Sequence, residues 1–219
     1  MTPEQEVLLR RYAEEVVSSP LHLTSDRELR QFWIRHIQDA VQLHDLIPSR
    51  HTQPGCRVLD VGSGNGVPGI PIAILEPEWT VELLDSDTKK CGFIDMICKK
   101  YAIKNAHVIV GRAEGLAQGA LRQAYDIVFS RALSRLRTAI ELAGAFVRVG
   151  GQLIVPHGTT WQAELQESAL AIELLGLQSK EKFEYELDGT RFVALVFHKI
   201  ASTPAMFPRA TGIPEKKPL

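Results

Sequence analysis

The segment Val58–Gly69, which reads VLDVGSGNGVPG, constrains the fold of this chain more than any other. It begins with apolar residues, contains four glycines, and is followed by a second apolar stretch at Ile70–Leu75. Glycines at this density permit positive φ angles and let a ligand approach the backbone closely. The pattern predicts a strand, a loop and a helix N-terminus, whose free N–H groups and partial positive charge suit the carboxylate or phosphate of a nucleotide-like cofactor.

Acidic residues near the predicted strand ends indicate which cofactor the loop binds. Residues Gly64–Gly69 match the dinucleotide pattern G-x-G-x-x-G, which alone is weak evidence. Asp60 would repel a pyrophosphate, whereas it suits the ammonium and sulfonium groups of S-adenosylmethionine (SAM). Asp85 ends the next strand, where a carboxylate can accept both ribose hydroxyls, and Glu114 follows the third strand, where it can bind an adenine edge. The trio favours SAM over NAD, although Asp85 or Glu114 taken singly could equally well cap the following helix.

Composition limits the class of protein. The 219 residues fit one domain with an extension, and a hydrophobic content of 45% supports a full core. Cys56, Cys91 and Cys98 form no C-x-x-C pair and predict buried thiols. The charged N-terminal segment lacks the apolar region of a signal peptide, and no apolar run approaches the roughly 18 residues of a membrane span. These features predict a cytoplasmic protein without membrane contact, and a net charge of −1 gives no global basic field for nucleic acid.

From Cys56 onward, short apolar strands alternate with helical segments, which indicates a parallel sheet with helices on both faces. The last two strand-like runs, 181–187 and 192–197, are separated by Asp188-Gly189, a strong hairpin signal. We therefore expect an α/β fold of the Rossmann-like class I SAM-dependent methyltransferase type, with a mostly parallel seven-stranded sheet that ends in an antiparallel hairpin.

Three regions follow from this pattern. Residues 1–54 form a predicted N-terminal helical extension, with helices at Pro3–Ser18 and Asp26–Leu46. Residues 55–200 form the predicted SAM-dependent methyltransferase domain. Residues 201–219 are a basic, proline-rich C-terminal tail, for which a loosely ordered end is one open interpretation.

Motifs that the chain lacks narrow the acceptor of the methyl group. The segment after the fourth strand, Phe129–Leu133, contains no Pro-Pro motif for exocyclic amino groups, and no cysteine lies at a predicted carboxyl end of a strand. No Lys/Asp/His constellation that could activate an oxygen acceptor is evident. Guanine N7 carries no proton and needs no general base, and its charged product is stabilised by electrostatics. The missing motifs therefore point to an N7-type acceptor.

The chain resembles the RsmG (GidB) family of bacterial methyltransferases, which modify N7 of a guanine in the 16S ribosomal RNA (rRNA) of the small subunit. The glycine loop followed by Pro-Gly-Ile-Pro is the most specific shared feature. The resemblance covers nearly the whole chain, through Leu83–Ser86, Arg112–Glu114, Ser130–Ala132, His22–Thr24, Arg35-His36, Gly189–Val196 and the tail.

The resemblance implies roles for single residues. Gly62 and Val67 match cofactor-binding loop positions, Ala113 and Glu114 match an adenine-binding pair, and Arg131 matches an arginine that contacts the cofactor region and is implicated in activity. A surface ion pair of little energetic value is the alternative for Arg131. The predicted cofactor-binding set is Asp60, Gly62, Gly64, Gly66, Val67, Asp85, Ala113, Glu114 and Arg131. The predicted catalytic residues are Arg131, Asp60 and Arg191, and no metal ligand is predicted.

Two residues depart from the family pattern. His22 stands where members usually have asparagine, and His157 stands where they usually have lysine. A mostly neutral histidine would hold phosphate less well near pH 7.

The implied partner is 16S rRNA, as part of the small ribosomal subunit or an assembly intermediate, because a structured particle offers shape as well as charge. We expect a monomer. Two other classes stay open: a small-molecule SAM-dependent methyltransferase that buries its acceptor under the N-terminal helices, and a non-catalytic nucleotide-binding regulatory module.

Overall fold

A single sheet organises the chain, as seen in a computed structural model that describes residues 1–47, 53–131, 135–158 and 160–219. In this part of the chain the sheet has seven strands, in the order β3-β2-β1-β4-β5-β7-β6. They are β1 Arg57–Val61, β2 Thr80–Asp85, β3 Ala106–Val110, β4 Tyr125–Phe129, β5 Val147–His157, β6 Leu177–Leu187 and β7 Thr190–Lys199. Strands β1 to β5 pair in parallel, and β7 runs antiparallel to both β5 and β6. The predicted parallel sheet with a closing hairpin is confirmed.

The central strands are buried on both faces, as parallel strands covered by helices on each side must be. In β1, Val58 joins the hydrophobic cluster on one face of the sheet, and Leu59 and Val61 join the cluster on the other. Burial on both faces explains why Val58, Leu59 and Val61 are all apolar although successive side chains point to opposite faces.

The N-terminal helices pack on the face of the sheet to which Val58 points. Helix α1, Pro3–Ser18, has the predicted bounds, because Thr2 and Gln5 form a reciprocal capping box. The second predicted helix begins three residues later than expected, since Thr24 Oγ1 accepts the N–H of Asp26 in a local turn. It comprises α2 Leu29–Phe32, a π-helical stretch Trp33–Gln38 and α3 Asp39–Asp45. Such π-helical stretches are often found at functional sites.

The remaining helices are α4 Gly69–Leu75, α5 Thr88–Lys100, α6 Ala113–Leu116, α7 Leu136–Gly144, α8 Trp161–Glu167, α9 Ala169–Leu174 and α10 Ile213–Lys216. The short helix expected near 116–122 lies earlier, at α6. The helix expected over 161–175 is divided at Ser168, whose hydroxyl donates to the Glu164 carbonyl at 2.6 Å. In the described residues, no helix combines the length and apolarity that crossing a bilayer requires.

The C-terminal tail packs against the sheet domain and is not a loose end. Arg209 pairs with the fully buried Glu141 of α7, with Nη2–Oε2 at 2.6 Å and Nε–Oε1 at 2.9 Å. Arg122 donates to the carbonyl oxygens of Thr203 and Phe207, both at 2.7 Å. The tail is thus fixed by side chains of the domain, although the division of the chain at residues 54 and 200 stays a prediction.

The pair between Arg209 and Glu141 gives a prediction about stability. Arg209→Ala leaves a buried carboxylate without its cation, which costs about 3 kcal/mol at the lower end of the range for buried pairs, because Arg209 is partly exposed. Urea denaturation should show this loss, and the second change Glu141→Gln should recover part of it. The matched control is Lys99→Ala, which breaks an exposed pair with Asp95 and should have little effect. Equal losses in both single variants would contradict the prediction.

Candidate active site

A cavity of about 490 Å³ opens where β1, β2, β3 and β4 end. This is the position at which open α/β sheets bind ligands, beyond the carboxyl ends of their strands. Among the residues that line it are seven members of the predicted cofactor-binding set: Gly62, Gly64, Val67, Asp85, Ala113, Glu114 and Arg131. The volume lies within the range of small-molecule and cofactor sites.

The glycine loop is held open by its backbone and by its neighbours. Gly64 has a φ of 56° and donates its N–H to Asp85 Oδ2 at 2.8 Å. Gly66 does not line the cavity; a Cβ there would lie 2.9 Å from Ile70 Cγ1 and 3.1 Å from Tyr12 Oη. Gly66 is therefore required by packing, because helix α1 presses against the loop and Tyr12 donates to the Asn65 carbonyl at 2.8 Å.

Asp60 lies beneath this loop and not on the cavity wall. It is fully buried, and its Oδ2 accepts the N–H of Gly69 at 3.0 Å. Its other oxygen, Oδ1, has no hydrogen-bond partner in the described part of the chain. Burial raises the pKa of Asp60 to about 7, against the opposing effects of the Gly69 N–H and the charge of Arg131. The unpartnered oxygen leaves an acceptor that suits a cationic group held above the loop.

Asp85 and Glu114 do not act as helix caps. The cap of α5 is Asp87, which accepts the N–H of Lys89 at 2.9 Å, whereas Asp85 supports the loop. Glu114 is nearly buried, and its Oε1 accepts the N–H of Gly212 at 2.9 Å. Burial would raise the pKa of Glu114, but hydrogen bonds from Gly212 and Arg112 outweigh it and the pKa lies below its usual value. Glu114 is thus an ionised group at which the cavity wall and the tail meet.

Arg131 is part of a buried network and not of a surface ion pair. Its Nε lies 3.1 Å from Oδ2 of Asp39, whose side chain is 2% exposed, and its Nη2 donates to the Arg35 carbonyl at 3.0 Å. Tyr185 of β6 donates its hydroxyl to the other oxygen of Asp39. Burial raises the pKa of Asp39, while Arg131 and the Tyr185 hydroxyl lower it. The network ties the N-terminal helices to the ends of β4 and of the hairpin.

A second buried carboxylate holds a histidine on the cavity wall. Asp26 lies 3.0 Å from Nε2 of His36 and 3.2 Å from Nη1 of Arg35. Burial and the charge of Arg131 lower the pKa of His36 to about 4, so the ring is neutral at pH 7. A neutral ring that donates Nε2–H to Asp26 carries a lone pair on Nδ1, which has no partner among the described residues. No pattern in the sequence predicted the contact between Asp26 and His36.

A second cavity, of about 450 Å³, adjoins the first, and Arg131 borders both. Ser130, Asp39, His157 and Phe192 also line it. His157, one of the two departures from the family pattern, has its Nε2 3.2 Å from Glu164 Oε2.

The predicted catalytic residue Arg191 does not border either cavity within the described chain. It is exposed on β7, opposite Glu186 across the hairpin. Its neighbour Phe192 lines the second cavity instead, because successive side chains of a strand point to opposite faces. A catalytic role for Arg191 stays a prediction that no contact supports.

The Arg131 network predicts a pH-dependent loss of stability. Arg131→Ala leaves Asp39 buried and unpaired, so the melting temperature at pH 7 should fall by clearly more than a few degrees. A carboxylate whose pKa is raised by burial is destabilising above its unfolded pKa and is neutralised as the pH falls. The gap between the variant and the unaltered protein should therefore narrow between pH 7 and pH 4.5.

The control for this prediction is the double variant Arg131→Ala/Asp39→Asn, which removes both charges and should recover much of the lost stability at pH 7. Thermal denaturation followed by circular dichroism measures all three proteins. If Arg131→Ala and the unaltered protein had the same melting temperature at every pH, Arg131 would be a surface residue and the prediction would be wrong.

The comparisons with known proteins agree with this geometry. Residues 5–187 match the GidB family, described as rRNA small subunit methyltransferase G. The ribosomal RNA small subunit methyltransferase G of Thermotoga neapolitana is 37% identical over 210 residues, which cover 95% of this chain and 89% of that protein. The protein of the same name from Fervidobacterium nodosum is 34% identical over 217 residues, 99% of each chain.

Solved structures show the same fold at low identity. TrmN from Thermus thermophilus superposes with a TM-score of 0.57 at 20% identity, over 75% of this chain and 48% of that one. The precorrin-6y C5,15-methyltransferase of Geobacter metallireducens gives 0.56 at 18% identity, over 85% and 94%. With the family match over most of its length and two relatives above 30% identity, this chain belongs to the rRNA small subunit methyltransferase G (GidB) family.

Proposed function

We propose that this chain transfers a methyl group from SAM to N7 of a guanine in the 16S rRNA of the small ribosomal subunit. Its family makes it an rRNA small subunit methyltransferase that uses SAM. The observation that supports the finer proposal is the pair of adjoining cavities that meet at Arg131. One carries the features of a nucleoside cofactor site, and the other lies where the acceptor must enter.

The first cavity suits SAM through the acidic and acceptor groups in and beneath its wall. In this proposal Asp85 accepts the ribose hydroxyls, and Ala113 and Glu114 bind the adenine edge. Nδ1 of His36 on the cavity wall and Oδ1 of Asp60 beneath the glycine loop are acceptors without partners among the described residues, and we assign them to the ammonium group. When bound, SAM supplies an electrophilic methyl group on a sulfonium. The role of the protein is to orient that methyl group toward the lone pair of the acceptor.

The side chains around Arg131 suit an acceptor that has no proton to lose. The lowered pKa of His36 leaves its ring neutral, and Arg131 forms an ion pair with Asp39. Guanine N7 gains a positive charge on methylation, and in this proposal electrostatics rather than proton transfer stabilises that charge.

We further propose that the substrate is the small subunit or an assembly intermediate, that the protein acts as a monomer, and that it acts in the cytoplasm. A net charge of −1 offers little attraction to naked RNA, so recognition of a structured particle supplies the missing affinity. The family favours this acceptor over a metabolite and favours catalysis over a purely regulatory module.

The direct test is mass spectrometry of the nucleosides in 16S rRNA from cells with and without the gene. We expect one 7-methylguanosine to be lost in the deletion strain. The purified protein should restore it when small subunits from that strain are incubated with SAM. Methylation of a different atom, or incorporation only into small molecules, would contradict the proposal.

The raised pKa of Asp60 predicts how SAM affinity depends on pH. Since only the ionised carboxylate supports the ammonium group, the SAM association constant should rise about tenfold between pH 6 and pH 8, around the pKa of about 7. Calorimetry should show this rise in the unaltered protein, and Asp60→Asn should bind more weakly with no such dependence.

Stability gives an independent check on Asp60. Because its folded pKa lies above the unfolded value, the folded state holds a proton that the unfolded state has lost, and stability falls as the pH rises from about 4 to 7. Asp60→Asn should remove this fall and melt above the unaltered protein at pH 8. The same slope in both proteins would overturn the assignment.

A further inference from the structure

We propose that the second cavity holds the target base itself, taken out of the RNA stack, with Phe192 as its stacking wall and Ser130 and Arg131 as its polar edge. The inference deepens the proposed function and rests on it. Enzymes that modify a base usually extrude it into a fitted pocket, because its reactive atom is otherwise out of reach.

The apolar side of the cavity has the form of a base platform. Val155, Pro156 and Ala139 line it together with Phe192. The Phe192 ring is stacked on Tyr185, with ring centroids 5.7 Å apart and planes inclined by 17°. Tyr185 is in turn fixed by its hydroxyl group, which donates to the buried Asp39. An aromatic ring held in this way is a rigid surface for a purine, and stacking of a base on such a ring contributes roughly tenfold in affinity or more.

The polar side of the cavity contains a buried hydroxyl group without a hydrogen-bond partner among the described residues. Ser130 Oγ is buried in a residue that is 1% exposed, and it has no hydrogen-bond partner in the described residues. By contrast, Glu164 accepts the N–H of Leu136 at 2.9 Å and pairs with His157. A buried hydroxyl without a partner is costly unless a ligand completes it. The Ser130 hydroxyl is therefore placed to bind the base.

The position of Ser130 and Arg131 determines which edge of the base they contact. Both follow β4, and Arg131 is the partition between the two cavities. Guanine O6 and N7 are neighbouring acceptors on one edge of the base. Donors that bind O6 at the partition therefore turn N7 toward the cofactor cavity. Adenine presents an amino group in place of O6. The Ser130 hydroxyl can accept from an amino group, whereas the N–H groups of Arg131 cannot, so Arg131 is the side chain that selects guanine.

The test compares Phe192→Leu and Ser130→Ala with Phe183→Leu, a matched control. Phe183 lies on the other strand of the same hairpin and does not line the second cavity in the described chain. With small subunits as substrate and saturating SAM, kcat/KM should fall about tenfold in the first two variants and stay unchanged in the control. The calorimetric affinity for SAM should be unchanged in all three variants, since the cofactor cavity is intact.

A second readout does not depend on turnover. In the presence of S-adenosylhomocysteine, 7-methylguanosine 5′-monophosphate should bind the unaltered protein and the control, and its affinity should fall about tenfold in Phe192→Leu. Wild-type kcat/KM and nucleotide binding in both cavity variants would overturn the inference. Absence of 7-methylguanosine from subunits treated with the unaltered protein would instead overturn the proposed function, so the two failures are distinguishable.

Discussion

The buried contact between Arg131 and Asp39 is the interaction on which the site most depends. It joins three segments that are distant in sequence: helix α3, the end of β4, and β6 through Tyr185. Neither charge is tolerable alone at that depth, because an unpaired buried ion loses its hydration without compensation. The pair is one of the contacts that hold the N-terminal helices over the sheet, and Arg131 borders both cavities. The same two residues thus stabilise the packing of the fold and line the second cavity.

Residues of the glycine loop likewise contribute both to packing and to the cavity. Its outer side is open to the cofactor cavity, while its inner side is pressed by Tyr12 and supported by Asp85. Asp60 lies below with one oxygen satisfied and one not. A buried carboxylate with a raised pKa destabilises the folded chain at neutral pH, and such local costs are typical of sites that bind a charged ligand.

Local features of the sequence predicted most of the fold. Strand alternation, the glycine loop and the Asp188-Gly189 turn each depend on neighbouring residues, and the structure confirms the sheet and hairpin that they indicated. Contacts between distant segments were not predictable in this way. Nothing in the sequence around Asp39 indicates a partner at position 131, and Asp26 and His36 meet only through a turn and a π-helical stretch. The choice between Arg191 and Phe192 likewise depends on which face of the sheet each side chain of β7 points to, and a one-residue change of register reverses it.

The hydrogen bond from Gly212 to Glu114 gives the tail a thermodynamic role. The carboxylate that borders the cofactor cavity also holds the tail, so docking of the tail and occupancy of the cavity are linked equilibria. By reciprocity, the factor by which a docked tail changes ligand affinity equals the factor by which the ligand changes tail docking. Cleavage of the tail by a protease, which requires it to open, therefore becomes a gauge of how fully the cavity is occupied.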